Sequence, residues 1–136
     1  MLHPLRQQMS GYLAGHQTCV LCCAAQEGNW AFPVIYQSQG VQVTCLLPRW
    51  IDAAYYLQQD QRVLLIVLDQ AAPPLRWLQI RGLARLEQDD ITETCWPAAF
   101  ATQVSSNLYH LVSITPQRVD WFDEKQGWGV LETLDF

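Results

Sequence analysis

LRWLQIRGLARLE, residues 75–87, is the stretch on which the reading of the fold turns. Leu78, Ile80, Ala84 and Leu86 occupy one alternating set of positions, and Trp77, Gln79, Arg81 and Arg85 the other. A period of two belongs to a β-strand with one face turned to a core. Gly82 interrupts the apolar set. Inside a strand, glycine marks a bulge or a point where another backbone comes close. The segment is therefore expected to be a long strand with one irregular point near its middle.

The neighbouring segments extend the pattern. RVLLIVLD (62–69) is apolar at every position from Val63 to Leu68, which predicts a strand buried on both faces. LYHLVSITPQRVDWF (108–122) is a second long strand, interrupted near Pro116. Between them DDITETCWPAAFATQ (89–103) has a helical composition, with Asp89 or Asp90 as cap and a break at Pro97. Upstream, TCVLCCAA (18–25), WAFPVIYQ (30–37) and VQVTCLL (41–47) form a three-strand meander with turns at QEGN and SQG. Residues 4–15 predict an amphipathic helix that starts on Pro4, buries Leu5, Met9, Tyr12 and Leu13, and ends at Gly15. Pro48 is expected to open a second helix, RWIDAAYYLQQD, with Trp50, Ile51, Ala54 and Leu57 on one face. About six strands and two or three short helices predict a mostly β fold. The expected architecture is a small antiparallel barrel with helices at its ends, formed by residues 1–136 as one domain.

Composition narrows the function. Half of the residues are hydrophobic and 15% are charged, enough apolar material for a core. Thirteen acids face seven arginines and one lysine, for a net charge of −5. Such a surface repels phosphate backbones, and no basic block addresses an anionic membrane, so neither nucleic acid nor membrane is an expected partner. The longest strongly apolar run, VLLIVL, is too short to span a bilayer. MLHPLRQQMSG lacks the pattern of a signal peptide. Five cysteines without a secretion signal read as reduced thiols of a cytoplasmic protein.

Three of those cysteines stand in CVLCC, residues 19–23. On a strand, Cys19 and Cys23 share a face and Cys22 points the other way. Four residues of strand separate Cys19 from Cys23 by about 13 Å. That distance excludes a disulfide and a shared zinc ion between these two. The expectation is small buried hydrophobes, with no metal. His3 and His16 read as solvated or structural, and His110 as a histidine at the edge of the core on the face of Val112 and Ile114. Asp123–Glu124 reads as a solvated turn. Six tryptophans in so small a domain suggest that a subunit interface or a ligand covers some aromatic surface.

Three pieces in order carry a resemblance: Arg62–Val63 at a strand start, Gly82–Leu83–Ala84, and ITPQRVDWFD at 114–123. With the helix and meander before them, they resemble the FMN-binding split-barrel family, the pyridoxamine 5′-phosphate oxidase-like proteins, over roughly residues 5 to 129. The resemblance implies a six-stranded antiparallel split barrel. It also implies a homodimer with two FMN sites at the subunit interface, each built from both chains. Members include oxidases, reductases and flavin-storage proteins; some relatives bind haem or a deazaflavin, and some have lost the cofactor.

The chain departs from that pattern where the cofactor phosphate is held. The polar cluster of the family falls here on Ile51, Asp52 and Ala53, and its second-strand arginine falls near Pro33. The glutamine that contacts the flavin ring falls on Trp77. A carboxylate at position 52 repels a phosphate, which needs charge-assisted donors. Arg49 is then the candidate anchor, or else an exposed arginine shielding Trp50. Arg81 projects from the less apolar face of its strand, as a second cofactor contact or as a salt-bridge partner. Trp128 resembles an aromatic that approaches the flavin across the dimer, with packing as the alternative role. The tail VLETLDF has no basic residue, whereas the vitamin B6 oxidase holds its substrate phosphate with a basic C-terminal motif. Two functions are therefore expected to compete. One is an FMN-dependent oxidoreductase, not an authentic vitamin B6 oxidase, with its catalytic residues unassigned. The other is a split-barrel dimer without flavin that binds haem or another small planar ligand.

Overall fold

The computed structural model describes residues 3–25, 28–87 and 108–136. Helix α1 spans Pro4–Ala14, and the strands are β1 Thr18–Ala25, β2 Gly28–Gln39, β3 Gln42–Pro48, β4 Arg62–Leu68, β5 Arg76–Glu87, β6 Tyr109–Asp123 and β7 Leu131–Asp135. Helix α2, Ala53–Gln59, joins β3 to β4, and a single 3-10 turn, Glu124–Gln126, precedes β7. All pairings are antiparallel, in the order β3-β2-β1-β4-β5-β6-β7, and β3 also pairs with β6. That last pairing closes a six-stranded barrel, and β7 extends the sheet beyond it. The mostly β barrel expected from the strand pattern is the one found. The predicted helix over 89–103, with Asp89, Asp90 and Pro97, lies outside the described residues.

The inward residues follow the period of two. Cys19, Leu21 and Cys23 on β1, Val63, Leu65 and Val67 on β4, and Leu78, Ile80 and Ala84 on β5 are all buried. Each fully buried leucine contributes roughly 1.5–3 kcal/mol. Cys22 points outward, as its place in the strand requires. Helix α1 closes the barrel with Met9, Tyr12 and Leu13, all buried. Two tyrosine hydroxyls pin it there: Tyr12 donates to the Val67 carbonyl at 2.9 Å, and Tyr36 donates to the Leu13 carbonyl at 2.6 Å. Burial, reinforced by Asp69, pushes the Tyr12 phenol up to about 12, so it remains a donor at neutral pH.

At Gly82 the backbones of β5 and β6 come close together. A Cβ at this position would stand 2.5 Å from the Thr115 carbonyl oxygen. The register shifts there: Arg81 faces Arg118 while Gly82 faces Pro116, so Gln117 is the extra residue of a bulge. Strand β6 is continuous through Pro116, rather than interrupted, because the bulge absorbs the proline. Its first half pairs with β3 and its second half with β7.

Three further expectations change. Pro48 ends β3 instead of opening a helix, and α2 begins only at Ala53. Trp50 therefore lies in the preceding turn, 85% exposed, and not on a core-facing helical stripe. Strand β4 is buried on its inward face alone: Leu64 and Ile66 are half-buried and Leu68 is exposed. The tail carries a seventh strand, clipped to β6 by Asp120, which accepts from Thr133 Oγ1 at 2.6 Å and from Arg118 Nε at 3.3 Å.

Candidate functional site

The four candidate residues fall in three places on the outer surface of the barrel. The first surrounds the end of β3. A small pocket of about 210 Å³ is walled by Pro33, Ile35, Leu46, Pro48 and Tyr109. Ile35 and Leu46 are cross-strand partners on the outward face, and Pro48 pairs with Tyr109, which brings these walls together. Arg49 sits at the edge: its amide donates to the Leu108 carbonyl at 2.8 Å and its Nε to the Tyr109 carbonyl at 3.2 Å. The guanidinium thereby ties β3 to β6 and is held beside the pocket. His110 faces inward opposite Leu47. Burial, and then the Arg49 cation, lowers its pKa below the usual histidine value.

The positions after Arg49 supply no phosphate donor of the familiar kind. Ala53 is buried in the core, and Ile51 is half-buried against it. Asp52 is exposed and its side chain makes no capping bond. An anion here meets a carboxylate and one arginine. The apolar walls suit a flat ring better than the turn suits a phosphate.

The second place lies at the far end of β6. Trp77 and Phe122 are cross-strand partners on the outward face, stacked with ring centroids 5.4 Å apart and 16° between planes. Leu68 and Leu131 flank them in the same row across the sheet. Trp128 projects from the turn before β7 and is 94% exposed. Arg49 and Trp77 are not brought together. Arg49 is tied to Tyr109 and Trp77 to Phe122, thirteen positions apart along the bulged strand β6.

The third place is the larger cavity, of about 530 Å³, beside the bulge. Arg81 opens onto it together with Arg62, Cys22, Trp30, Leu64 and Gln117. Cys22, Leu64 and Arg81 form one outward row across β1, β4 and β5. Arg62 is engaged with Asp60, to which its Nη2 donates at 2.8 Å and its Nε at 3.1 Å. Those bonds lower the Asp60 carboxyl to about 2. Sequence reasoning used Arg62 only as a strand start and passed over Trp30 and Gln117. The signal that finds them is register: only once Cys22 is set opposite Leu64, and Leu64 opposite Arg81, do these side chains share one hollow. Among the described residues no three His, Cys, Asp or Glu side chains come together as a metal site.

No protein-family model matches the chain, and no curated protein does. Solved structures do match it in fold. A protein related to general stress protein 26, of the pyridoxinephosphate oxidase family, from Clostridium acetobutylicum superposes with a TM-score of 0.80 at 9% identity, over 100% of this chain and 97% of that one. A candidate pyridoxamine 5′-phosphate oxidase from Listeria innocua gives 0.74 at 20% identity, over 87% of this chain and 98% of that one. A heme binding protein from Mycobacterium smegmatis gives 0.74 at 16% identity; it matches 99% of this chain, which spans 60% of that longer protein. The fold is thus the split barrel of the pyridoxamine 5′-phosphate oxidase-like, FMN-binding proteins.

Proposed function

We propose that two copies of this chain bind FMN between them and act as a flavin-dependent oxidoreductase distinct from the vitamin B6 oxidase. The observation that carries this reading is that one barrel presents outward, at two separate places, an apolar pocket edged by Arg49 and the stacked Trp77–Phe122 pair. Two such places would enclose one cofactor when each comes from a different chain. A second copy would also cover the outward row of Leu68, Trp77, Phe122 and Leu131, which one barrel leaves half-exposed or exposed. Removing that surface from water is the driving force for such pairing.

The residues present fit the ring well and the phosphate narrowly. Pro33, Ile35 and Leu46 offer an apolar wall, and Arg49 one charge-assisted donor at the rim. Trp77 and Trp128 of the second copy would exclude water from the other side. Arg81, the fourth candidate, stands over the larger cavity, apart from the Arg49 pocket. When bound, the flavin supplies the hydride or electron transfer; the chain binds, orients and shields it. The thiols suit a reducing cytoplasm.

One observation favours a second reading. Asp52 stands exposed where a phosphate anchor is expected, and a chain of this fold from Mycobacterium smegmatis is a heme binding protein. On that reading the dimer has given up FMN and holds haem or another planar ligand. Titration with FMN, followed by quenching of flavin fluorescence, tests the choice. Saturable binding at micromolar FMN that is lost in Arg49→Ala supports the flavin. No binding, with a Soret band on adding haem, overturns it.

A further inference from the structure

The cavity beside the bulge has a charge that no other described residue balances. Arg81 and Arg118 are direct cross-strand partners on the outward face, an arrangement of like charges that destabilises a sheet. Arg118 is offset by Asp120 at 3.3 Å, and Arg62 by Asp60 at 2.8 Å. Among the described residues Arg81 makes no ion pair. An uncompensated cation opposite another cation, in a protein with thirteen acids to draw on, is a place for an anion from outside.

The rest of the hollow defines that anion. At about 530 Å³ it is of the size that takes a small organic molecule. Cys22, Ala31 and Leu64 on the outward row give it an apolar wall; Trp30 borders it, but as the cross-strand partner of buried Cys23 it turns its ring inward and stacks on Tyr56. Burial, and then neighbouring Cys19, raises the Cys22 thiol, so the wall stays uncharged at neutral pH. Gln117, the extra residue of the bulge, brings an amide to the same hollow. We propose that this cavity binds a small amphipathic monoanion, an apolar body carrying one carboxylate, with Arg81 as its counter-ion and Leu64 and Ala31 against its body. A single unbalanced guanidinium matches one negative charge, and its planar fork matches a carboxylate. The site is separate from the Arg49 pocket and does not depend on a flavin being bound.

Calorimetric titration of the whole protein with 1-naphthoate and with its neutral counterpart 1-naphthamide tests this. Naphthoate is expected to bind one per chain, about tenfold or more tighter than naphthamide, as a charge-assisted contact requires. Arg81→Ala, at an exposed position that the fold does not rely on, is expected to bring naphthoate down to the level of naphthamide and leave naphthamide unchanged. Ala31→Trp, which fills the hollow without altering charge, is expected to abolish both. Equal affinity for the two probes would overturn the proposal. So would full naphthoate binding in either variant, or no binding of either probe at millimolar concentration.

Discussion

Replacing Gly82 with alanine probes the point on which the barrel closes. The added methyl group would stand 2.5 Å from the Thr115 carbonyl oxygen, 3.1 Å from Ile114 Cγ2 and 3.2 Å from the Thr115 carbonyl carbon. Ordinary contact lies near 3.5 Å, so the two backbones must part by roughly 1 Å. The obstacle is main chain, paired on both sides of the bulge, and no rotamer relieves it. Overpacking of this kind costs about 1–3 kcal/mol, reduced by about 0.4–1 kcal/mol because alanine restricts the unfolded chain. A net loss of about 1–2 kcal/mol corresponds to a fall in Tm of roughly 3–10 °C for a domain of this size. Thermal and urea unfolding, followed by tryptophan fluorescence, would show a lower midpoint with an unchanged m-value. Gly11→Ala is the control: no atom lies within 4 Å of its added Cβ, and in mid-helix it is expected to gain up to about 1 kcal/mol. A Gly82→Ala protein as stable as the parent would refute the close approach and the bulge with it.

Other perturbations have defined signs. His110 has a folded pKa below its unfolded value, so the unfolded state takes up the proton first. Stability should therefore fall as pH drops below about 6.5, and Gln at position 110 should flatten that limb of a pH–Tm curve. Asp52→Asn removes a carboxylate that makes no capping bond. It should tighten FMN binding a few-fold, since a charge pair 4 Å apart in water is worth about 1 kcal/mol, while Tm holds steady. Thr133→Val takes from buried Asp120 its shortest hydrogen bond. The expected cost is about 1–3 kcal/mol, with β7 amides losing hydrogen-exchange protection before the barrel strands do.

The barrel is legible because its strands bury one face each. Leu78, Ile80 and Ala84 alternate with Trp77, Gln79 and Arg81, and Gly82 announces the bulge by lacking a side chain where two backbones meet. What escaped reading has physical causes. Proline suits the first turn of a helix and the edge of a strand alike, so Pro48 misplaced the start of α2. LETLD is short and mixes Leu131 and Thr133 on one side with Glu132 and Leu134 on the other, so no apolar face marked β7. The run VLLIVL reads as buried on both faces because every residue in it is apolar, yet Leu64 and Ile66 are only half-buried and Leu68 is exposed. The candidate site was legible as residue types and not as a place. Arg49 and Trp77 look near enough in sequence, yet they are tied to residues at opposite ends of β6, and Arg81 meets Leu64 and Cys22 only through the register of three strands.

Complementation between two crippled variants tests the shared site most directly. Arg49→Ala and Trp77→Ala should each bind FMN poorly as pure proteins. Unfolded together and refolded as an equal mixture, half of the dimers are mixed, and each mixed dimer holds one site with both residues intact. About a quarter of all sites are expected to recover the parent's affinity, a consequence of two-fold symmetry. No recovery, from a parent protein that binds FMN, would place Arg49 and Trp77 outside any site shared between chains and contradict the account.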